Sequence, residues 1–245
     1  MSSISSAAIK RISIDVKEFL KSPIEGCAIY QCDDPLTRIY VVISGPKDSA
    51  YENGMYFFQF DFPNTYPFEP PKVKFLNWQN SKTRMHPNMY VCGKLCLSFL
   101  GTWSGPSWTS ALGLTSIMLS IQTLLDDNPL TNEPGYEKNP KTIEHCKYQK
   151  IVQYHNYRDF IMSSMKIAID PEYLKNDNLH YIEYFKQFMR DYYKSKLNII
   201  ENELNKLIEM YPESQTIFIP YQQLQSTIDY KGVETVFNEL KKKYL

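Results

Sequence analysis

No apolar run in this 245-residue chain approaches the roughly 18 residues that a membrane-crossing helix needs. Residues 1–8 are rich in serine and alanine and lack the apolar centre of a secretory signal. Neither charge is in excess: 27 Lys plus Arg stand against 27 Asp plus Glu. Nucleic-acid binders generally show a basic surplus, so that class is disfavoured. A disulfide framework is missing too, because the five cysteines are odd in number and scattered at 27, 32, 92, 96 and 146. There is no internal repeat and no long low-complexity tract. These absences predict a cytoplasmic or nuclear protein that engages neither membrane nor nucleic acid. The 19 tyrosines read as compositional bias and carry no functional reading by themselves.

What is present suffices for a core, since 43% of the residues are apolar. The length suits one domain plus an extension. Residues 4–20 read as an amphipathic helix, with Ile9, Ile12, Val16, Phe19 and Leu20 on one stripe and Lys10, Arg11 and Lys17 off it. Strand-like runs follow at 27–32, 38–44, 55–62 and 73–76, the last approached through Pro70-Pro71 as an edge strand would be. A second helix is predicted over 110–125, with Leu114, Ile117, Met118, Ile121, Leu124 and Leu125 as its apolar face. Residues 141–168 read as helical, with Ile151, Tyr154, Phe160 and Ile161 buried. A helix, a meander and further helices make an α+β pattern.

We divide the chain into a core, 1–168, and a helical extension, 169–245. From about residue 179 to 211, apolar residues recur at 182, 185, 189, 193, 197, 200, 204, 207 and 211. That pattern predicts a helix folded back on the core; a dimerising coiled coil is the alternative. The final segment carries an apolar run, 217–219, and a last helix whose Lys241-Lys242-Lys243 reads as a solvated end suited to the helix dipole.

The densest chemical signal lies at residues 86–98. A His86-Pro87-Asn88 turn precedes Cys96, with Gly93 between them. Such spacing can fold a carboxamide back toward a thiol. Acyl transfer on sulfur needs a thiolate nucleophile and a donor for the oxyanion that develops on the carbonyl. A lone cysteine is more often a core residue. Against that, Leu95, Leu97, Phe99 and Leu100 already supply apolar packing, and Ser98 and Gly101 suggest an element emerging at the surface. From the residues alone both readings stay open.

The wider pattern resembles the ubiquitin-conjugating enzymes. The matching pieces are Tyr66-Pro67-Phe68-Glu69-Pro70-Pro71-Lys72-Val73, the His-Pro-Asn turn, Gly93-Lys94-Leu95-Cys96-Leu97-Ser98, and the two tryptophans after the cysteine. They occur in the family's order and spacing. The segments 101–108 and 132–137 resemble the larger, Z-type members that carry a C-terminal extension. The likeness is strong over about 8–137 and faint beyond about 165.

The resemblance implies a four-stranded meander flanked by helices, and an enzyme that takes ubiquitin or a ubiquitin-like protein from an activating enzyme as a thioester on Cys96. It passes that group to a lysine of a protein substrate, with a RING- or HECT-type ligase. Asn88 matches the residue that steadies the oxyanion, His86 and Pro87 match structural positions of the turn, and Asn132 and Glu133 are candidates for orienting or deprotonating the lysine. Lys10, Arg11 and Lys17 match the face that meets the activating enzyme, and Phe68 and Pro106 match ligase contacts. Trp103 and Trp108 are expected to pack the stretch after Cys96, and Cys92 to sit in the loop covering the site. No cofactor or metal is expected, because ATP is used by the upstream activating enzyme and the Cys/His spacings do not suit zinc. The alternatives are a catalytically silent scaffold of the same fold, and a cysteine protease pairing Cys96 with His155 or His180.

Overall fold

A computed structural model describes residues 5–79, 81–138, 141–170 and 180–245. Helix α1, Ser6–Lys21, buries Ala8, Ile12 and Phe19, and Ser5 caps it by accepting the Ala8 N–H. Leu20, expected on the apolar stripe, is 64% exposed. Asp15 is buried on the same helix. It is satisfied by Arg11, whose Nε donates at 2.9 Å, and by the Tyr66 hydroxyl.

Strands β1 (Cys27–Gln31), β2 (Arg38–Ser44), β3 (Met55–Asp61) and β4 (Lys72–Leu76) pair antiparallel in that order. All four fall within a residue of the runs read from sequence, and β4 lies at the edge. Residues 39–44 of β2 are buried without alternation, so both faces of the sheet are covered. Tyr30 stands opposite Tyr40, and Val42 opposite Phe57, which puts Tyr30, Tyr40 and Phe57 on one face. Tyr56 and Phe75 fall on the other.

The second face packs on helices. Helix α2, Leu114–Leu124, contacts β2 and buries Leu114, Ile117, Met118 and Ile121. It starts later than residue 110 because Arg11 draws the Ser110 and Leu112 carbonyls into hydrogen bonds of 2.8 and 3.0 Å. Helix α3 (Ile143–His155), a π-helical turn (Asn156–Ile161) and α4 (Met162–Ile169) form the next helical stretch. Phe160 in that turn stacks on Tyr56 with ring centroids 4.7 Å apart. Ile151, Tyr154, Phe160 and Ile161 are buried as expected.

The extension comprises α5 (His180–Glu183), α6 (Lys186–Met210), β5 (Gln215–Ile219), β6 (Leu224–Ile228) and α7 (Tyr230–Tyr244). Its helical character matches the sequence reading. The β5–β6 hairpin was legible only as the run at 217–219. The repeat at 182–207 is buried against this chain's own α4 and α7 and against the first sheet face, which is the folded-back arrangement. Leu179, where that repeat was taken to begin, lies outside the described residues, as do residues 1–4. Lys241 is no free helix end, since its Nζ reaches both Glu201 oxygens at 2.6 and 2.7 Å.

Tyrosines make the joint between core and extension. Tyr184 stacks on Tyr30 at 3.4 Å between centroids, Tyr181 on Tyr40 at 4.7 Å, and Phe185 meets Phe57 at 5.7 Å. The Tyr193 hydroxyl donates to the Asn53 carbonyl at 3.1 Å, and Tyr244 to that of Met165 at 3.0 Å. Tyr193 and Tyr244 each bury a ring and place its hydroxyl on a carbonyl acceptor. Tyr193 is fully buried. Tyr193→Ala is therefore expected to destabilise the chain by about 3–5 kcal/mol, and Tyr193→Phe by about 1 kcal/mol, in urea unfolding. Equal midpoints for wild type and Tyr193→Ala would contradict this docking.

Candidate active site

Residues 86–96 fold into a hairpin-like loop held by their own polar groups. Met89 N donates to the His86 carbonyl at 2.9 Å, closing the His-Pro-Asn turn. Tyr90 N donates to the Lys94 carbonyl, and Gly93 N to that of Tyr90, both at 2.9 Å. Gly93 has φ +94, and a Cβ there would lie 2.7 Å from the Phe75 carbonyl oxygen, so the glycine is required for the loop to reach β4. After the cysteine, Ser98–Leu100 forms one 3-10 turn, closed by Gly101 at φ 70. The Thr102 hydroxyl accepts the Leu97 N–H at 2.9 Å.

Asn88 and Cys96 are bound to each other twice. Cys96 N donates to the Asn88 carbonyl at 2.9 Å, and Asn88 Nδ2 donates to the Cys96 carbonyl at 2.8 Å. Asn88 Oδ1 is buried without a partner. Cys96 is only 1% exposed, which corrects the expectation of an element emerging at the surface. It is nonetheless the one buried apolar residue, among those described, that stands outside the contiguous hydrophobic core. Cys27 shows the contrast: it lies inside that core, and burial pushes its thiol up to about 12. All five cysteines are free, and Cys92, in the loop, is exposed.

His86 is wholly buried, and its Nδ1 accepts the Asn88 N–H at 2.9 Å. The proton therefore sits on Nε2, which has no acceptor in hydrogen-bonding geometry although the Leu124 carbonyl at the end of α2 is near. Burial, reinforced by the charge of Arg84, lowers its pKa to about 3. The ring is a neutral structural piece of the turn rather than a base for Cys96.

The comparisons join this geometry to known proteins. A family profile described as ubiquitin-conjugating enzyme matches residues 11–156, more than half the chain. The chain belongs to the ubiquitin-conjugating enzyme family. It is 38% identical over 154 residues to ubiquitin-conjugating enzyme E2 Z of Xenopus tropicalis, covering 63% of this chain and 49% of that one. It is 30% identical over 228 residues to the protein of the same name in Homo sapiens, covering 91% of this chain and 60% of the relative. In Danio rerio the corresponding values are 30% over 233 residues, 94% and 67%. The chain thus spans from about half to two thirds of the length of these Z-type relatives, and the likeness to two of them runs through the extension.

The remaining site residues are distributed unevenly. Phe68 is 81% exposed, as an anchor for a partner would be, rather than turned to the core. Pro106 is exposed in segment 101–107. Trp108 is half-buried, and its Nε1 donates to the Pro67 carbonyl at 2.7 Å, whereas Trp103 stays 45% exposed and packs less than expected. Lys10 and Lys17 are exposed on α1. Arg11 is half-buried on the same helix, its guanidinium engaged by Asp15 and by the Ser110 and Leu112 carbonyls.

Asn132 closes a 3-10 turn, Pro129–Asn132, beside Asp126. Glu133 follows it and accepts the Tyr221 hydroxyl at 3.0 Å. Desolvation raises the Asp126 carboxyl above its ordinary range, against hydrogen bonds from Asn128 and Asn132 that lower it. Neither Asp126 nor Arg84 stood out in the sequence; Arg84 donates to the Pro87 carbonyl and lies 3.8 Å from the Tyr90 ring centroid. His155 is not poised for Cys96: its Nδ1 faces Asp159 at 2.8 Å and its Nε2 meets Thr83 at 3.0 Å and Ser226 at 2.9 Å. His180 lies on α5 beside Tyr40, 5.8 Å between ring centroids.

A buried neutral His86 has a consequence for acid stability. The unfolded ring takes a proton near pH 6.5, while the folded ring refuses it until about pH 3. Stability is then lost as pH falls through that window, by up to about 1.4 kcal/mol per unit from this ring. In NMR titration the His86 ring is expected to stay neutral from pH 7 to about 5. A midpoint near its ordinary value would contradict the assignment.

Proposed function

We propose that this chain carries ubiquitin or a ubiquitin-like protein as a thioester on Cys96. The observation that supports this reading best is the doubly bonded Asn88–Cys96 pair, set outside the apolar core. In the first step the Cys96 thiolate attacks the carboxyl carbon held as a thioester on an activating enzyme. A new C–S bond forms, and that enzyme's thiol is released. ATP is consumed upstream, and this chain needs no resident cofactor. Exchange of one thioester for another is nearly isoenergetic, so the site contributes position more than driving force. Because Cys96 is covered in the resting chain, loading requires the side chains above it to part.

In the second step a substrate lysine amine attacks the thioester carbonyl. The carbonyl oxygen becomes an oxyanion, and the Asn88 carboxamide supplies the donor. One of its N–H groups holds the Cys96 carbonyl, leaving the other for the oxyanion. The C–S bond then breaks, an isopeptide forms, and the amine's proton departs. Asn132 and Glu133 are the groups for orienting and deprotonating the lysine. Lys10 and Lys17 offer the activating enzyme a basic face. Exposed Phe68 and Pro106 offer a RING- or HECT-type ligase its contacts. We assign the chain to the cytoplasm or nucleus; among the described residues no helix is long and apolar enough to cross a membrane.

Incubation with activating enzyme, ATP and labelled ubiquitin is expected to give a thiol-sensitive adduct on wild type and none on Cys96→Ala. Asn88→Ala is expected to load yet discharge to lysine about 10²–10³-fold more slowly. Absence of an adduct with ubiquitin and with every ubiquitin-like modifier tried would overturn the reading. Discharge by Asn88→Ala at the wild-type rate would remove the oxyanion role.

A further inference from the structure

The turn between β5 and β6 is where the extension reaches the segments that frame the site. Tyr221 is 6% exposed there. Its N–H donates to Glu144 Oε1 at 2.9 Å, and its hydroxyl donates to Glu133 Oε2 at 3.0 Å. Its ring packs edge-on against Tyr148 and Tyr136, with centroids 5.4 and 5.7 Å apart. The next two residues are Gln222 at φ 53 and Gln223 at φ 50. Two successive non-glycine residues in the left-handed region are costly and persist only where the surroundings hold them. Here the hairpin is pinned on both strands: Lys147 donates to the Phe218 carbonyl at 3.5 Å, and Ser226 meets His155 at 2.9 Å.

The same turn also faces the loop before the cysteine. Tyr221 and Gln222 share a recess of about 350 Å³ with Arg84, Tyr90 and Cys92. Arg84 in turn holds the Pro87 carbonyl of the His-Pro-Asn turn, and its own carbonyl accepts the Tyr148 hydroxyl at 2.7 Å. Tyr221 thus lines a recess with the upstream loop on one side and bonds the loop after α2 on the other.

We propose that Tyr221 is a positioning residue for lysine discharge, through which the extension aims the Glu133 carboxylate. This rests on the reading of Cys96 as acyl carrier and Glu133 as the group that receives the lysine proton. As the amine nitrogen bonds to the thioester carbon, the C–S electrons leave with Cys96 and the ammonium proton passes to Glu133. A hydroxyl donated to one carboxylate oxygen leaves the other free for that proton, and it fixes the plane of the carboxylate. The extension then governs the second half-reaction rather than loading.

The test compares full-length wild type, Tyr221→Phe, Glu133→Gln and the double variant. Each is loaded with ubiquitin by activating enzyme and ATP, the ATP is removed, and thioester loss is followed across a range of free-lysine concentrations. Tyr221→Phe keeps the ring, so wild-type loading and a single cooperative melting transition report its fold. It is expected to discharge about tenfold more slowly at saturating lysine, with an unchanged half-saturating concentration. In the Glu133→Gln background the same change should alter the rate by less than about twofold. Wild-type discharge by Tyr221→Phe, or an equal slowing in both backgrounds, would overturn the proposal. Failure of wild type to load would instead remove the Cys96 reading, and this proposal with it.

Discussion

Two hydrogen bonds between Asn88 and Cys96 are the constraint on which the site depends. One is backbone to backbone and fixes the register of the loop; the other turns the Asn88 carboxamide toward the cysteine. The neutral His86 ring braces the turn that carries Asn88 by accepting the Asn88 N–H. Gly93, whose missing side chain lets the loop approach β4, closes it on the other side. A charged His86 would lose its acceptor lone pair and sit uncompensated in an apolar surrounding. The depressed pKa of this ring is thus part of the architecture that holds Asn88 in place.

From that centre the polar contacts run outward to the extension. Arg84 ties the His-Pro-Asn turn to α3 through Tyr148, and Tyr148 packs against Tyr221 in the β5–β6 turn. On the opposite side of the sheet, α5 and the turn that leads into α6 lay Tyr181, Tyr184 and Phe185 on Tyr40, Tyr30 and Phe57. Aromatic rings bury large areas and gain further from stacked and edge-on geometry. The extension is therefore packed as part of the fold rather than appended to it, and β2 is buried on both faces as a result.

The order of elements in the core was legible because its strands are bounded by proline and glycine and its helices keep a clear apolar period. Cys96 and Asn88 were legible through their spacing and family likeness. The burial of Cys96 was not, since covering depends on side chains remote in sequence. The bonds that Arg11 makes were hidden for a similar reason: its acceptors, Ser110 and Leu112, lie about a hundred positions away. The β5–β6 hairpin was hidden because its turn, Pro220 to Gln223, uses two glutamines with positive φ where Asn-Gly would have announced it. The abundance of tyrosine looked like bias. In the folded chain several of them, Tyr30, Tyr40, Tyr181, Tyr184, Tyr193 and Tyr244, carry the joint between core and extension, a role that composition signals only when partner rings are known.

The central claim is that sulfur 96, and not the exposed sulfur four residues earlier, holds the acyl group. Peptide mapping by tandem mass spectrometry of the loaded chain, under conditions that preserve thioesters, tests this most directly. The expected result is a thiol-labile modifier remnant on Cys96 alone. A remnant on Cys92, or spread over several cysteines, would contradict the assignment.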